Sequence, residues 1–523
     1  MRQLLLQRLF SGTYFQCLYS EVIKLDTIQL LFNGLVAATS LSMLFAVFFG
    51  VIVGLFIGVL PGLGPAAGLA ILLPVVVGFD GVAAIAALAG VYYGAMFGGA
   101  VTSILLGIPG DAPSVMTTLD GYPMAQKGEA GAALGMNVMA SFIGGLIGLI
   151  LLTALSQEIA RAALSFGPTE MTALMLLALS LVTVLGGTNP WKGFTSLGLG
   201  LWIGMIGLDA IMGRPRFTFD QVQLFEGISF PVIAVGLFGM GQMLASLNIN
   251  PKHDVIKPQY TLKSLIPRLS DIIKCRWDLL RGSIIGFLVG ILPGVGATAA
   301  TMLAYATAKK MSKTPERFGE GAIEGIAAPE AANNSASYSS MIPLFTLGIP
   351  GSATTAVLMG GLLMIGLQPG PLLFTQNPEF VWTLFGTFYI GNLALVFITL
   401  LLTPVLASTI FVSKAILFPI VLTIVLFGVY SIGYSLFSIW IVLIFGGFGY
   451  IMLRLNYPAV PLILGVVLGP ILERGVRRTL ISSNGDMMVF IERPISLTLL
   501  IITLLIIIFP LIKSQYLNFK AKT

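Results

Sequence analysis

Charged side chains are scarce in this 523-residue chain, in which Asp, Glu, Lys and Arg together make up 10% of the residues. A soluble globular domain carries about 25% charged residues. Hydrophobic residues, by contrast, make up 56% of the chain, and many apolar runs reach the roughly 20 residues that a helix needs to cross a bilayer. The composition therefore excludes an ordinary soluble domain and predicts an all-α polytopic membrane protein.

Histidine and cysteine are almost absent. His253 is the only histidine, and Cys17 and Cys275 are the only cysteines. The wide spacing of the cysteines favours neither a disulfide framework nor a metal site. We expect His253 to be a solvated loop residue, which gives no basis for a His-dependent catalytic pair. The sequence therefore predicts no enzyme activity and no cofactor.

Signals for nucleotides and nucleic acids are missing as well. Gly62-Leu63-Gly64 lacks the Lys-Ser/Thr that would complete a Walker motif. We therefore expect a Na⁺ or H⁺ gradient, or a partner, to supply any driving force. The net charge of +6 comes from basic residues in loops, where they set membrane topology, so no nucleic-acid partner is predicted.

The order of apolar and polar segments predicts about 11–12 transmembrane helices plus re-entrant hairpins. We divide the chain into an N-terminal extension (1–26), a first transmembrane repeat (27–247), a linker loop (248–281), a second transmembrane repeat (282–513) and a C-terminal tail (514–523). The extension lacks the apolar core and cleavage site of a signal peptide. The linker is rich in Lys and Arg, which favours the cytoplasmic side.

The most informative feature that is present is a repeated pair of Pro-Gly breaks. Gly58-Val-Leu-Pro-Gly-Leu-Gly64 recurs as Gly290-Ile-Leu-Pro-Gly-Val-Gly296, at an offset of 232 residues. Leu106-Gly-Ile-Pro-Gly110 recurs as Leu347-Gly-Ile-Pro-Gly351, at an offset of 241 residues. Interrupted helices at matching positions in two halves indicate the binding site of a transporter. We therefore predict two inverted structural repeats whose Pro-Gly-broken helices meet near the bilayer midplane.

Helix ends at such breaks suit ions of both signs. The N–H groups of a helix N-terminus attract an anion, and carbonyls before a break, together with hydroxyls and amides, suit Na⁺. The predicted substrate-binding residues are Pro61, Gly62, Gly64, Pro109, Gly110, Asp111, Pro293, Gly294, Gly296, Pro350, Gly351, Ser352 and Thr354. The predicted ion-coupling residues are Gly107, Thr298, Glu330, Asn333, Asn334, Ser337 and Gly348. The alternative is that Pro and Gly only bend helices and allow close packing.

Each of two carboxylates near the breaks could have a functional or a structural role. A carboxylate at membrane depth is costly and marks a functional candidate, so Glu330 could ligate a cation, carry a proton or pair with a distant base. Equally, Glu330 and Asn333 could hydrogen-bond backbone groups freed by a break. Asp111 is expected to cap a helix, although its charge could also influence an anion site. The polar segment 114–127, which contains Asp120-Gly121-Tyr122-Pro123, is predicted to be rich in turns.

Over residues 27–510 the chain resembles the large permease subunit of tripartite tricarboxylate transporters, the TctA family. The matching motifs are Gly58-Val-Leu-Pro-Gly-Leu-Gly-Pro65, Leu106-Gly-Ile-Pro-Gly110, Leu119-Asp-Gly-Tyr-Pro-Met-Ala-Gln-Lys-Gly128, Gly207-Leu-Asp209 with Gly213-Arg-Pro-Arg-Phe-Thr-Phe219, Ala327-Ala-Pro-Glu-Ala-Ala-Asn-Asn334, Leu347-Gly-Ile-Pro-Gly-Ser-Ala353 and Gly366-Leu-Gln-Pro-Gly-Pro371. The sequence departs from the family at Asp111, where a small or hydroxylated residue is expected, and residues 1–26 have no recognised counterpart.

The resemblance implies a multi-pass transporter of the bacterial inner membrane. Its expected partners are the lipid bilayer, a small TctB-like membrane subunit and a periplasmic TctC-like solute-binding protein. The expected activity is Na⁺- or H⁺-driven uptake of a tricarboxylate or dicarboxylate, such as citrate, by alternating access. Rocking and elevator-like motions both remain open. The alternatives are an anion or cation channel, an intramembrane enzyme, or a scaffold without a transport path.

Overall fold

The computed structural model of the chain describes residues 27–60, 62–185, 189–209, 212–247, 262–409 and 414–520. The predicted N-terminal extension, Pro61 and the first part of the linker, including His253, lie outside these residues. Helices dominate the described residues, and the one small sheet that they contain is a β-hairpin. Its strands β1 (Gly207–Leu208) and β2 (Pro215–Arg216) are antiparallel, with Gly207 opposite Arg216.

The first half consists of α1 Thr27–Ala38, α2 Leu41–Val59, α3 Pro65–Leu72, α4 Gly81–Leu106, α5 Val115–Gln126, α6 Ala130–Leu164, α7 Pro168–Leu185, α8 Pro190–Gly204 and α9 Phe230–Ser246. Helix α9 contains one π-helical segment, Val235–Met240. The β-hairpin lies between α8 and α9. The segment after α9 separates these helices from those of the second half.

The second half consists of α10 Leu269–Gly290, α11 Gly296–Met311, α12 Glu324–Ser339, α13 Met341–Leu347, α14 Ala353–Met364, α15 Leu373–Gln376, α16 Pro378–Thr409, α17 Lys414–Gly433, α18 Leu436–Arg454, α19 Ala459–Ser482, α20 Val489–Glu492 and α21 Pro494–Lys520. Helices α10, α11, α12–α13 and α14 follow the same order as α2, α3, α4 and α5.

Seven of the described helices are long and apolar enough to cross a membrane. Shorter apolar helices of 10–17 residues accompany them at Thr27–Ala38, Phe230–Ser246, Ala353–Met364, Phe418–Ser431 and Pro494–Ile508. The described residues therefore form an all-α polytopic membrane protein, as the sequence predicts.

Rows of glycine hold the first two long helices of each repeat together. In the first half, backbone atoms of α4 approach the glycines of α2 so closely that any Cβ would clash with a carbonyl oxygen; the pairs are Gly50–Ala87, Gly54–Val91 and Gly58–Ala95. The corresponding pairs between α10 and α12 are Gly282–Ala328, Gly286–Ala332 and Gly290–Ala336. These six pairs keep the offsets of 232 and 241 residues found in the sequence, so the two halves repeat their packing as well as their motifs.

The long helix α6 shows at which face of the membrane the other helices begin and end. Gly131 and Gly135, near its start, lie against Ser264 and Leu265 of the linker segment. Its 35 residues extend over about 50 Å, which exceeds the roughly 40–45 Å of a bilayer with its headgroups. Its two ends therefore lie on opposite faces. We call the face beside residues 262–268 the linker face and the other the outer face.

The hairpin α10–α11 enters from the linker face. Lys274, early in α10, and Arg317, after α11, line one cavity together with Gly131 of α6. Lys274 also pairs with Glu324 at the start of α12, with 2.7 Å between Nζ and Oε1. The start of α10 and the end of α11 therefore both lie at the linker face, and the Pro-Gly turn between these helices points into the membrane.

The hairpin α2–α3 enters from the other side. Helix α3 leads through a short 3₁₀ turn to Gly81, the first residue of α4, which lies against Ile365. The residues after Ile365 line a cavity with Leu164 and Gly167 at the outer end of α6. The two repeats are thus inverted relative to each other, as the sequence predicts.

The predicted turn-rich segment 114–127 is wrong, because Val115–Gln126 forms helix α5. Asp120 explains the difference. Its buried carboxylate accepts a hydrogen bond from the Tyr305 hydroxyl at 2.8 Å and others from the N–H groups of Gly319, Gly321 and Ala322 at 2.7–2.9 Å. These contacts lie more than 180 residues away in sequence, and they stabilise a helix that local propensity disfavours.

The predicted linker boundary at residue 281 also needs correction, since α10 already begins at Leu269. The basic residues of this stretch form the exposed side of an amphipathic helix. Its other side is buried at Cys275, Leu279 and Gly282, a spacing of four and three residues that fits a helix. A high density of charge therefore did not mean that this stretch lacks helical structure.

The glycine rows make a direct prediction about stability. Gly286→Ala would place a Cβ 2.2 Å from the carbonyl oxygen of Ala332, and we expect such overpacking to cost about 1–3 kcal/mol. The control is Gly198→Ala in α8, where a Cβ would meet nothing within 4 Å. Thermal unfolding of the purified proteins in detergent should show a lower midpoint for the first variant only. Equal midpoints would contradict the proposed role of the rows.

Candidate functional site

The two breaks of the first half lie against each other. Helix α4 ends at Leu106, and the next residue, Gly107, has a left-handed φ of +67°. The chain then turns so that the N–H of Gly110 donates to the carbonyl of Gly99 over 3.2 Å. A Cβ on Gly110 would lie 2.6 Å from the carbonyl oxygen of Gly58, and Gly64 lies near the Cβ of Asp111. Only glycine permits this approach.

The breaks of the second half meet in a similar way. Helix α13 ends at Leu347, and the next residue, Gly348, has a φ of +69°. The N–H of Gly294 donates to the carbonyl of Gly351 over 2.9 Å, so one break satisfies a backbone group of the other. Gly294 is itself left-handed, at +84°, and a Cβ there would lie 2.4 Å from the Cα of Val182.

The Pro-Gly-Asp turn of the first half and the Pro-Gly-Ser turn of the second half are closed by the same pair of reciprocal hydrogen bonds, here called the reciprocal cap. In the first half, the N–H of Asp111 donates to Oγ of Ser114 over 3.3 Å, and the N–H of Ser114 donates to Oδ1 of Asp111 over 3.1 Å. In the second half, the N–H of Ser352 donates to Oγ1 of Thr355 over 2.8 Å, and the N–H of Thr355 donates to Oγ of Ser352 over 3.2 Å. In the first half this reciprocal cap closes only the turn, because the N-cap residue of helix α5 is Ser114 and that helix start has no side-chain cap; the predicted capping of the helix by Asp111 is therefore not observed.

Asp111 also brings an atom that Ser352 does not have. Its Oδ2 is buried and has no hydrogen-bond partner among the described residues. Its Oδ1 lies close to Gly99, which follows Gly98 in the row where α4 meets α2. The first half thus carries an unsatisfied carboxylate oxygen at the point where the second half carries a hydroxyl.

Glu330 is the second carboxylate of the site and connects the two halves. It is 1% exposed and lies on α12. The hydroxyl of Thr117, on α5, donates to its Oε1, and the hydroxyl of Ser141, on α6, lies 3.5 Å from its Oε2. No ion pair involves Glu330 within the described part of the chain. A second-half carboxylate is therefore held by first-half hydroxyls without a compensating positive charge.

Unsatisfied amides accompany this carboxylate. Both polar side-chain atoms of Asn333 are buried without a hydrogen-bond partner in the described structure, and so is Nδ2 of Asn137. Asn333 follows Glu330 by three residues and Asn137 precedes Ser141 by four, so each pair shares one face of its helix. The surroundings of Glu330 therefore include oxygen atoms and free amide donors from three helices.

A further contact joins the halves next to the second break. The hydroxyl of Tyr92, on α4, lies 3.1 Å from Oγ of Ser340, between α12 and α13. Ser340 in turn lies against Gly351. Tyr92 thus reaches from the first repeat to the Pro-Gly turn of the second.

Other predicted residues have local partners. Nδ2 of Asn334 donates to the carbonyl of Glu330 over 3.1 Å, and Oγ of Ser337 donates to the carbonyl of Asn334 over 2.7 Å. The carbonyl of Thr298, near the start of α11, accepts from Thr301. Thr354 is buried in the first turn of α14. Pro61 lies outside the described residues.

Sequence reasoning did not select Tyr92, Thr117, Asn137, Ser141 or Ser340 as site residues. A signal existed for Asn137 and Ser141, because two polar residues one turn apart in the apolar helix α6 predict a shared buried face. Thr117 gave a weaker signal, as one of the hydroxyls that follow the first-half break. Tyr92 and Ser340 gave none, since their importance depends on how the repeats dock.

The arrangement suits a small hard cation or a proton. Na⁺ prefers oxygen ligands, which the carboxylate, hydroxyls and amides here supply, whereas the described residues contain no cluster of three or more His, Cys, Asp or Glu side chains for a transition metal. A buried carboxylate without a counter-charge is costly, so binding a cation or a proton would remove that cost.

At the outer face, the β-hairpin is joined to α19 by paired charges. Arg216 of the β-hairpin donates to both carboxylate oxygens of Glu473 over 2.9 and 3.2 Å. This contact raises the pKa of the Arg216 guanidinium above its ordinary value. The hairpin is thereby fixed to helix α19 on the outer face.

Comparison with known proteins agrees with this architecture. The sequence profile of the tripartite tricarboxylate transporter TctA family matches residues 44–464. The chain is 38% identical over 446 residues, covering 85% of this chain and 88% of the relative, to an uncharacterized 52.8 kDa protein in the TAR-I ttuC' 3' region of Agrobacterium vitis. It is 40% identical over 229 residues, covering 44% of this chain and 95% of the relative, to an uncharacterized protein in the TAR-II ttuC' 3' region of the same organism. No solved structure matches. The chain therefore belongs to the tripartite tricarboxylate transporter TctA family.

Proposed function

We propose that this membrane component of a tricarboxylate transporter drives uptake of a tricarboxylate or dicarboxylate, such as citrate, with a Na⁺ or H⁺ gradient. The observation that carries the proposal is the buried Glu330 carboxylate, which is held across the interface between two inverted repeats by Thr117 and Ser141. Such a carboxylate needs a cation or proton, and its position couples that ion to the contact between the halves.

The coupling ion binds beside Glu330 in this proposal. The oxygen ligands come from Glu330, Thr117 and Ser141, and Asn333 contributes its unsatisfied side chain. Asn334 and Ser337 act through the backbone instead, because their side chains bond carbonyls of their own helix. Their contribution is to fix α12 next to the site.

The carboxylate substrate binds at the helix ends after the Pro-Gly turns. Two features support this placement. The N-termini of α5 and α14 provide partial positive charge, and the two breaks of each half lie in contact through Gly110–Gly58 and Gly294–Gly351. Each half thus supplies helix ends close to its own glycine turns, a common way to bind anions.

Alternating access follows from movement of one repeat against the other. The polar contacts that would change are Tyr92–Ser340 and Thr117–Glu330, since each joins residues of different halves. Each of these two contacts joins one side chain to another, so it can separate without breaking a helix.

The family is one of tripartite transporters. We therefore propose a small TctB-like membrane subunit and a periplasmic TctC-like solute-binding protein as partners, in the bacterial inner membrane. The binding protein delivers the substrate at the outer face, and the basic linker face is cytoplasmic.

Glu330→Gln tests the coupling site. The neutral, isosteric side chain still accepts from Thr117 but cannot hold a cation or proton, so we expect gradient-driven accumulation of labelled citrate to fall at least about tenfold. Exchange of labelled for unlabelled citrate across the membrane, which needs no net ion movement, should persist. Glu316→Gln, at an exposed position after α11, is the control. Normal accumulation by Glu330→Gln would exclude this residue from coupling.

Asp111→Ser tests the first-half turn by installing the residue that the second half has. The reciprocal cap with Ser114 can form with serine, so we expect an unchanged unfolding midpoint. Removing a negative charge near the anion should lower the KM for citrate about threefold to tenfold, or ~1 kcal/mol. Initial uptake rates over a range of citrate concentrations measure this. A raised KM in a correctly folded variant would show that Asp111 supports binding rather than opposing it.

A further inference from the structure

A large cavity opens at the outer face, away from the buried carboxylates. Its volume is about 830 Å³, within the roughly 300–1,000 Å³ of small-molecule sites. Helices α6, α7, α14 and α19 contribute its walls. Leu347 and Gly348, which end α13 at the second Pro-Gly break, also line it. The cavity therefore connects the outer face with one of the broken helices.

Two arginines stand at this cavity. Arg474 and Arg478 both line it, and both are exposed. They are four residues apart on α19, so they lie on one face of that helix, one turn from each other. Gly475, which lies between them in sequence, also lines the cavity and lies against Thr172 of α7.

The neighbouring charges are neutralised. Arg477 pairs with Asp209 and with Glu473, at 3.1 and 2.7 Å, and Arg216 pairs with Glu473 at 2.9 Å. Arg493 pairs with Glu170 at 3.1 Å. Within the described residues, neither Arg474 nor Arg478 forms an ion pair. Among these charged residues, the positive charges without an ion-pair partner are therefore those of Arg474 and Arg478, which lie at the cavity.

The ion-pair network also restrains the two arginines. Asp209 and Arg216 belong to the β-hairpin region, whereas Glu473 and Arg477 belong to α19. Four charges thus fix the rotation of α19 about its axis. This rotation keeps Arg474 and Arg478 at the cavity, and Arg474 additionally lines the smaller cavity beside the hairpin.

We propose that Arg474 and Arg478 form an outer subsite for anions carrying two or more carboxylates, through which the substrate passes before it reaches the broken helices. Guanidinium groups bind carboxylates through paired hydrogen bonds, so two arginines one turn apart can each engage one carboxylate of the same molecule. The inference rests on the proposed carboxylate transport. Both residues lie beyond the 44–464 segment that the family profile matches, so family membership does not assign them.

The test is the double variant Arg474→Gln/Arg478→Gln, measured with citrate, succinate and propionate as probes with three, two and one carboxylates. We expect the KM for citrate uptake to rise at least tenfold and that for succinate less. Uptake of propionate should change less than twofold, and kcat for citrate should stay within twofold. The control is Arg161→Gln, which removes one positive charge from the outer part of α6, away from this cavity, where Arg161 pairs with Glu158.

Equilibrium binding of labelled citrate to the purified chain separates this inference from the proposed function. If the wild type binds citrate and the double variant does not, the subsite is supported. If the wild type also shows no gradient-driven uptake, that second result overturns only the proposed function. Wild-type uptake with an unchanged KM in the double variant overturns the subsite alone. An equal loss for propionate and citrate also overturns it, because general damage, rather than recognition of several carboxylates, would then explain the effect.

Discussion

A helix that breaks inside a bilayer leaves N–H and C=O groups that water cannot satisfy. The rest of this structure depends on how that requirement is met. Each repeat contains two breaks, and the breaks satisfy one another or their neighbouring helix through backbone contacts, such as that from Gly294 to Gly351. Such contacts require main chains to approach without side chains between them. The glycine rows that bring α2 to α4 and α10 to α12 provide that proximity.

The symmetry of this framework makes the chemical differences between the halves meaningful. The caps at Asp111 and Ser352 have the same hydrogen-bond pattern, but only the first carries a spare carboxylate oxygen. Glu330 has Ala89 at its equivalent position in the first half, 241 residues earlier. The framework is therefore duplicated, whereas the ionisable groups are not, and the two halves contribute unequally to any ion-dependent step.

Much of the fold could be predicted from the sequence because its main signals are local. The Pro-Gly motifs revealed the repeat, and their offsets reappear in the contacts of Gly58 and Gly290. The helix at Val115–Gln126 could not be predicted, since it depends on distant partners of Asp120. The start of α10 could not be predicted because the charged residues on its exposed side give this stretch the composition of a loop. In the site, Glu330 was visible as a carboxylate in apolar sequence, but Thr117 and Tyr92 gain significance only from the docking of two repeats.

The hydroxyls that hold Glu330 belong to the other repeat, and this has a consequence for the fidelity of transport. If one half slid past the other while the carboxylate was charged, Glu330 would lose the donors of Thr117 and Ser141 and keep its charge in a dry environment. Movement with a bound cation or proton would avoid that penalty. Under the proposed function, the same contact that joins the halves thus suppresses empty cycling, so a single pair of hydroxyls would protect the gradient from slippage.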